Sequence, residues 1–203
     1  MHAVIRIWYS LADTAETNQV FNEPKSMTVD QLNKMNSQIV PIIRKKHPTR
    51  IVLLMGLKFG NPTWITGNPK ALKIPGGGQL MLEIHNYDPF KYAGANPTQK
   101  SWGSDADEKA LQQWADDVDK WSKANNLPIY YGEFGCTNTQ TAATGRDKWF
   151  KAHAAVIRSK GWGASVWNDG GGHLIYSYTS GQWVDAIVDD LGVGHQGEQQ
   201  WAW

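Results

Sequence analysis

The 203-residue chain has a single cysteine, Cys136. That excludes an internal disulfide and any cysteine-based metal site. It also lacks an excess of either charge. Net charge is +1 at pH 7, so there is no electrostatic footprint for nucleic acid or an anionic membrane surface. No run of about 18 apolar residues is present, and a membrane-spanning helix is not expected. The opening MHAVIRIWYS lacks the apolar core and small-residue cleavage site of a signal peptide. No internal repeat or low-complexity linker divides the sequence, which reads as one domain over 1–203. Gly170, Gly171 and Gly172 follow Asp169, but no GxxxxGK[ST] pattern accompanies them, so they read as a loop rather than a phosphate cradle.

Aromatic residues are what the chain has in plenty: eleven Trp and seven Tyr. Some must fill the core. Others suit sugar binding, in which a flat ring packs on the apolar face of a pyranose while polar groups read the hydroxyls. Composition alone does not choose between the two.

Short apolar runs and helical periodicities alternate along the sequence. IVLLM at 51–55 and LMLEIH at 80–85 read as strands buried on both faces. PIYYG at 128–132 and GASVW at 163–167 read the same way, and a weaker strand ends at Phe21. Between them, Val29, Leu32, Met35, Ile39, Ile42 and Ile43 predict a helix over 29–46, interrupted at Pro41. Leu111, Trp114, Val118 and Trp121 predict one over 105–125, opened by a Ser104–Asp107 capping box. Trp149, Val156 and Ile157 predict one over 146–160 that Gly161 ends. A last short helix is expected over 183–191. This order argues for an α/β fold with a parallel sheet and right-handed crossovers, in which function gathers at the C-terminal strand ends.

Those ends carry Asn22 and Glu23, then His85, Asn86 and Tyr87, then Glu133, then Trp167 to Asp169. In VFNEPKS, Val20 and Phe21 favour a strand and Pro24 stops it, so Glu23 falls where a side chain can face an open site. A bland alternative is a helix start, with Asn22 as the cap and Glu23 favouring the dipole. Two carboxylates flanking one bond are the apparatus of glycoside hydrolysis: one donates a proton to the leaving oxygen, the other attacks the anomeric carbon or activates water. Asn22 could hold a sugar hydroxyl, Tyr87 orient the nucleophilic carboxylate, His85 bridge toward the acid, and Trp167 floor a subsite; the bland alternatives are a loop acid at Glu133, a structural histidine at His85, a packed ring at Tyr87 and a core tryptophan at Trp167.

The ordered set VFNEP, HPTR before IVLLM, IHNYDPF, PIYYGEFG and GASVWNDGGG resembles glycoside hydrolase family 5, the retaining cellulases of the (β/α)8 barrel superfamily. The resemblance runs from about Val20 to near Leu191. It implies that Glu23 is the general acid/base and Glu133 the nucleophile, and it carries Asn22, His85, Tyr87 and Trp167 over as substrate-binding or supporting residues. It implies retaining hydrolysis of β-1,4-glucan, no cofactor, no metal, and secretion, although this chain shows no signal peptide. A non-catalytic β-glucan-binding fragment, a β-mannanase and a mixed-linkage glucanase are the alternatives.

One departure from the pattern is large. Asn-Glu-Pro ends strand 4 in that family, yet only 19 residues precede Val20 here, and one βαβ unit takes roughly 30. A TIM barrel runs to about 250 residues. The expectation is therefore an N-terminally truncated (β/α)8 barrel of five to six parallel strands with outer helices. Residues 1–19 are an atypical N-terminal segment, and AVIRIWYS is a candidate edge strand. Exposed sheet edges then predict self-association.

Overall fold

The computed structural model describes residues 3–7 and 17–192. The N-terminal segment is covered only by β1 (Ala3–Ile7) and β2 (Thr17–Gln19); its remainder lies outside the described residues. The chain continues through α1 (Val29–Lys46), β3 (Ile51–Met55), α2 (Pro62–Gly67), β4 (Leu80–His85), α3 (Phe90–Ala93), α4 (Asp105–Asn125), β5 (Ile129–Phe134), α5 (Arg146–Lys160) and β6 (Gly163–Asn168). A small hairpin, β7 (Tyr176–Ser177) and β8 (Gln182–Trp183), precedes α6 (Asp185–Leu191).

The main sheet has the order β1-β6-β5-β4-β3-β2. Strands β2 to β6 are parallel in chain order, each joined to the next by a helical crossover. AVIRI does supply an edge strand, but it runs antiparallel to β6, with Val4 opposite Trp167. The parallel strands are thus five.

Local chemistry explains most boundaries. Thr28 caps α1 through the Gln31 amide N–H, and Gln31 returns the bond to the Thr28 amide. That removes the helix-start role considered for Asn22. The helix continues through Pro41 to Lys46, and it buries Leu32, Asn33, Asn36 and Val40 while Ile42 stays exposed. The periodicity therefore had the helix right and its buried stripe off by part of a turn. Ser104 and Asp107 form the expected capping box of α4. Gly161, in the left-handed region, ends α5. The first parallel strand is Thr17–Gln19 and ends before Phe21, where the sequence placed its end. Val20 donates one more bond to the Leu53 carbonyl, and Phe21 is already exposed. The last helix starts at Asp185, because Gln182–Trp183 pair in the hairpin.

The strands alternate between two cores. Val52, Leu54, Leu82, Ile84, Ile129, Tyr131, Ala164 and Val166 face the helices in the main core. Leu53, Met81 and Tyr130, with Ile51 beside them, form a separate cluster on the concave face. Each such side chain, fully buried, contributes roughly 1.5–3 kcal/mol. The concave row on β4 is Met81, Glu83, His85, at the strand period of two. That row leads from apolar floor to polar rim.

Candidate active site

Glu23 and Glu133 are far apart in the sequence and meet above the C-terminal ends of β2 and β5. Glu23 lies four residues past β2, in the left-handed region with φ 49°. A non-glycine residue there costs on the order of 1 kcal/mol or more, and such strain gathers at functional sites. Its amide donates to Met55 Sδ at 3.1 Å, which helps to hold the turn. Glu133 needs a different device. Simple alternation from the inward Tyr130 would turn Glu133 toward the helices. The β5 register shifts between Tyr131 and Phe134, and that on β4 shifts between Ile84 and His85. Such a bulge re-aims one side chain. Phe134 therefore packs outward, 4.9 Å from Tyr131 by ring centroids, and Glu133 turns to the concave side opposite His85.

The side chains form one connected cluster. His85 Nδ1 lies 3.0 Å from Glu23 Oε1 and 3.4 Å from Glu133 Oε2. Its Nε2 lies 3.4 Å from Glu83 Oε1. Tyr87 donates its hydroxyl proton to Glu133 Oε2 at 2.8 Å. Burial by itself would lower the His85 pKa. The hydrogen bonds to Glu23 and Glu83 and the Glu133 charge outweigh it and raise the ring to about 9. Burial raises the Glu133 pKa, against the pull of His85 and Tyr87 toward the ionised form. The Tyr87 hydroxyl is pushed far above its ordinary range, by burial first and then by the Glu133 charge, so it stays a donor.

Glu23, His85 and Glu133 each offer one ligand atom within 4.8 Å of the others, which is the spacing of a metal-binding set. The same three groups, with Tyr87 beside them, can also hold and pass a proton.

A second set of residues fixes the β4 loop from behind. The His85 amide donates to the Gly60 carbonyl at 3.1 Å, and the Asn86 amide to the Glu133 carbonyl at 3.0 Å. Tyr131 donates its hydroxyl proton to the Asn86 carbonyl at 3.0 Å. Its oxygen is then left to accept from His153 Nδ1 at 3.1 Å. Burial holds His153 neutral by lowering its pKa to about 3, and its ring stacks on Trp149 at 3.8 Å. Arg146 reaches the Cys136 and Leu174 carbonyls, tying the loops after β5 and β6 together.

The remaining predicted residues are less closely joined. Asn22 is exposed at the rim, and its Oδ1 accepts from Gln19 at 3.2 Å. Trp167 is half-buried at the end of β6, the strand next to β5. Asn168 and Asp169 shape the following loop: Asn168 Oδ1 accepts from the Ile175 and Tyr176 amides, and Asp169 Oδ1 from Gly171 and His173. Glu83 was missed by sequence reasoning. Its signal was there, as a carboxylate inside an apolar strand and two residues before His85.

Three comparisons bear on this geometry. The profile of the family described as Cellulase (glycosyl hydrolase family 5) matches residues 16–172. Endoglucanase H of Acetivibrio thermocellus is 32% identical over 173 residues, covering 81% of this chain and 18% of that protein. Among solved structures, the cellulose synthase subunit Z of Clostridioides difficile superposes with a TM-score of 0.78 at 26% identity, covering 85% of this chain and 60% of that one. Thermotoga maritima Cel5A, solved with mannotriose, superposes with a TM-score of 0.79 at 22% identity, covering 88% and 61%. The chain thus spans less than two thirds of each of these relatives.

Proposed function

The chain belongs to glycosyl hydrolase family 5, and from that premise we propose that it cleaves β-1,4-glucan with retention, using Glu23 and Glu133. The observation that carries this reading is the pair itself: the facing Glu23 and Glu133 oxygens lie within 4.8 Å, with His85 between them. Retention uses carboxyl groups about 5–5.5 Å apart, and inversion leaves room for a water at about 6.5–9.5 Å. A Glu133 oxygen attacks the anomeric carbon while Glu23 gives its proton to the leaving glycosidic oxygen. Glu23 then takes a proton from water, and the hydroxide released displaces Glu133 from the sugar. His85 donates to Glu23 Oε1, which leaves the Glu23 proton on Oε2. Tyr87 steadies the Glu133 oxygen it touches, and Trp167 and Asn22 are assigned to the sugar.

Glucan is preferred to mannan because the relative above 30% identity is named an endoglucanase. A polymer of that kind is met outside the cell, and we assign the protein there. Among the described residues no helix is long and apolar enough to cross a membrane. Among the described residues the main sheet ends at β2 on one side and β1 on the other. Open edges of this kind pair with another chain, and we propose self-association.

The test is hydrolysis of carboxymethyl-cellulose by the parent, Glu23→Gln and Glu133→Gln, with the product anomer followed by NMR. Activity in the parent, loss in both variants and a β product are expected. An α product sinks the retaining assignment. A folded, inactive parent that still binds cello-oligosaccharides gives the protein to the second reading, a glucan-binding fragment. That reading is favoured by the chain spanning only about 60% of its solved relatives. Light scattering after gel filtration tests self-association, and a stable monomer would refute it.

A further inference from the structure

We propose that Glu83 is a positioning residue, whose buried carboxylate fixes His85 as a donor through both ring nitrogens and so directs Nδ1–H at Glu23 and Glu133. The catalytic consequence rests on reading those two as the reacting pair; the assignment to His85 does not.

Three observations carry it. First, both ring nitrogens face carboxylates: Nδ1 faces Glu23 and Glu133, and Nε2 faces Glu83. A neutral imidazole would aim a lone pair at an acidic oxygen on one side or the other. Second, the Glu83 side chain is only 8% exposed and its Oε2 has no hydrogen-bond partner. A buried carboxylate with one oxygen unsatisfied is costly unless a charge nearby offsets it, and its other oxygen, Oε1, faces His85 Nε2. Third, the space for Glu83 depends on its neighbour on β5. A Cβ on Gly132 would stand 2.1 Å from Glu83 Oε1. The adjacent strand thus leaves room for the carboxylate beneath His85.

The groups facing His85 are Glu83 from its own strand, Glu23 from the loop after β2 and Glu133 from β5. Tyr87 stands at the far side of Glu133. If all three carboxylates were ionised, one imidazolium would leave the cluster at −2. Like charges so close favour retaining a proton on the cluster. Glu83 supplies one of those charges without touching the substrate. It therefore favours the proton-bearing form of the site.

The experiment is an NMR pH titration of histidine-labelled protein, with the His85 signal assigned through His85→Gln. It compares the parent with Glu83→Gln and Glu83→Asp, each checked for a cooperative unfolding transition. The parent His85 is expected to titrate near 9. Removing the Glu83 charge is expected to lower that midpoint by about one pH unit or more. Glu83→Asp retracts the carboxylate and should fall between the two. Where the parent hydrolyses carboxymethyl-cellulose, the alkaline limb of kcat should move to lower pH in Glu83→Gln while KM holds. An unmoved His85 midpoint in either folded variant overturns the proposal, and Glu83→Asp carries the test if Glu83→Gln does not fold. An inactive parent would count against the hydrolase reading and leave the titration as the judge of Glu83.

Discussion

Replacing Tyr87 with Phe removes one hydroxyl from the site and leaves the ring, whose edge-on contact with His173 at 5.5 Å does not need the oxygen. The lost interaction is the 2.8 Å bond to Glu133 Oε2. Hydrogen bonds to a charged group are worth about 1.5–3 kcal/mol. At about 1.4 kcal/mol for each pKa unit, losing that bond from the ionised carboxylate shifts its titration upward by about 1–2 units. The direction adds to the effect of burial, which already raises Glu133. A nucleophile must be ionised, so activity in Tyr87→Phe should fail at a higher pH on the acid side than in the parent. The assay is kcat/KM for a soluble cello-oligosaccharide from pH 4 to 9. The acid limb should rise by about 1–2 pH units, and the difference should narrow toward neutral pH. A folded Tyr87→Phe variant with an unmoved acid limb would refute both the role of the hydroxyl and the assignment of Glu133 as the ionised partner.

Three further outcomes are expected. Glu133 has a folded-state pKa above its ordinary value, so its contribution to stability is present below about pH 4.3 and lost as pH rises through the folded pKa. Glu133→Gln should therefore match the parent in Tm at pH 4 and exceed it at pH 7; a lower Tm at pH 7 would mean that His85 and Tyr87 outweigh burial. Gly132→Ala places a Cβ 2.1 Å from Glu83 Oε1. It should cost about 1–3 kcal/mol by denaturant unfolding, as overpacking does, and should push Glu83 away from His85; unchanged stability would show that the pocket has slack. The Cys136 thiol is fully buried, and burial raises its pKa to about 12. It should resist thiol reagents at pH 8 until the protein unfolds, and rapid labelling of the native protein would contradict that burial.

How much was legible beforehand differs from element to element. IVLLM, LMLEIH and the three long helices were readable because their patterns are local: apolar runs bounded by turns, and periodicity ended by caps such as Ser104 and Gly161. The boundary at Thr17–Gln19 was not. Polar residues form that strand because β3 supplies the pairing, an interaction with no trace in the strand's own composition.

The sequence by itself determined the strand–helix order and the cluster's members at Glu23, His85, Tyr87 and Glu133, since short motifs at strand ends carry both. Tertiary structure alone decided which way two of them face. The β5 bulge turns Glu133 inward, where alternation from Tyr130 would have sent it outward, and the left-handed backbone at Glu23 belongs to the turn that presents its carboxylate to His85. Packing across strands decided that Glu83 has room beneath His85, because that space is left by Gly132 on the neighbouring strand. Side-chain direction at a bulge, and room beside a buried charge, depend on what another segment leaves open, and local sequence does not encode them.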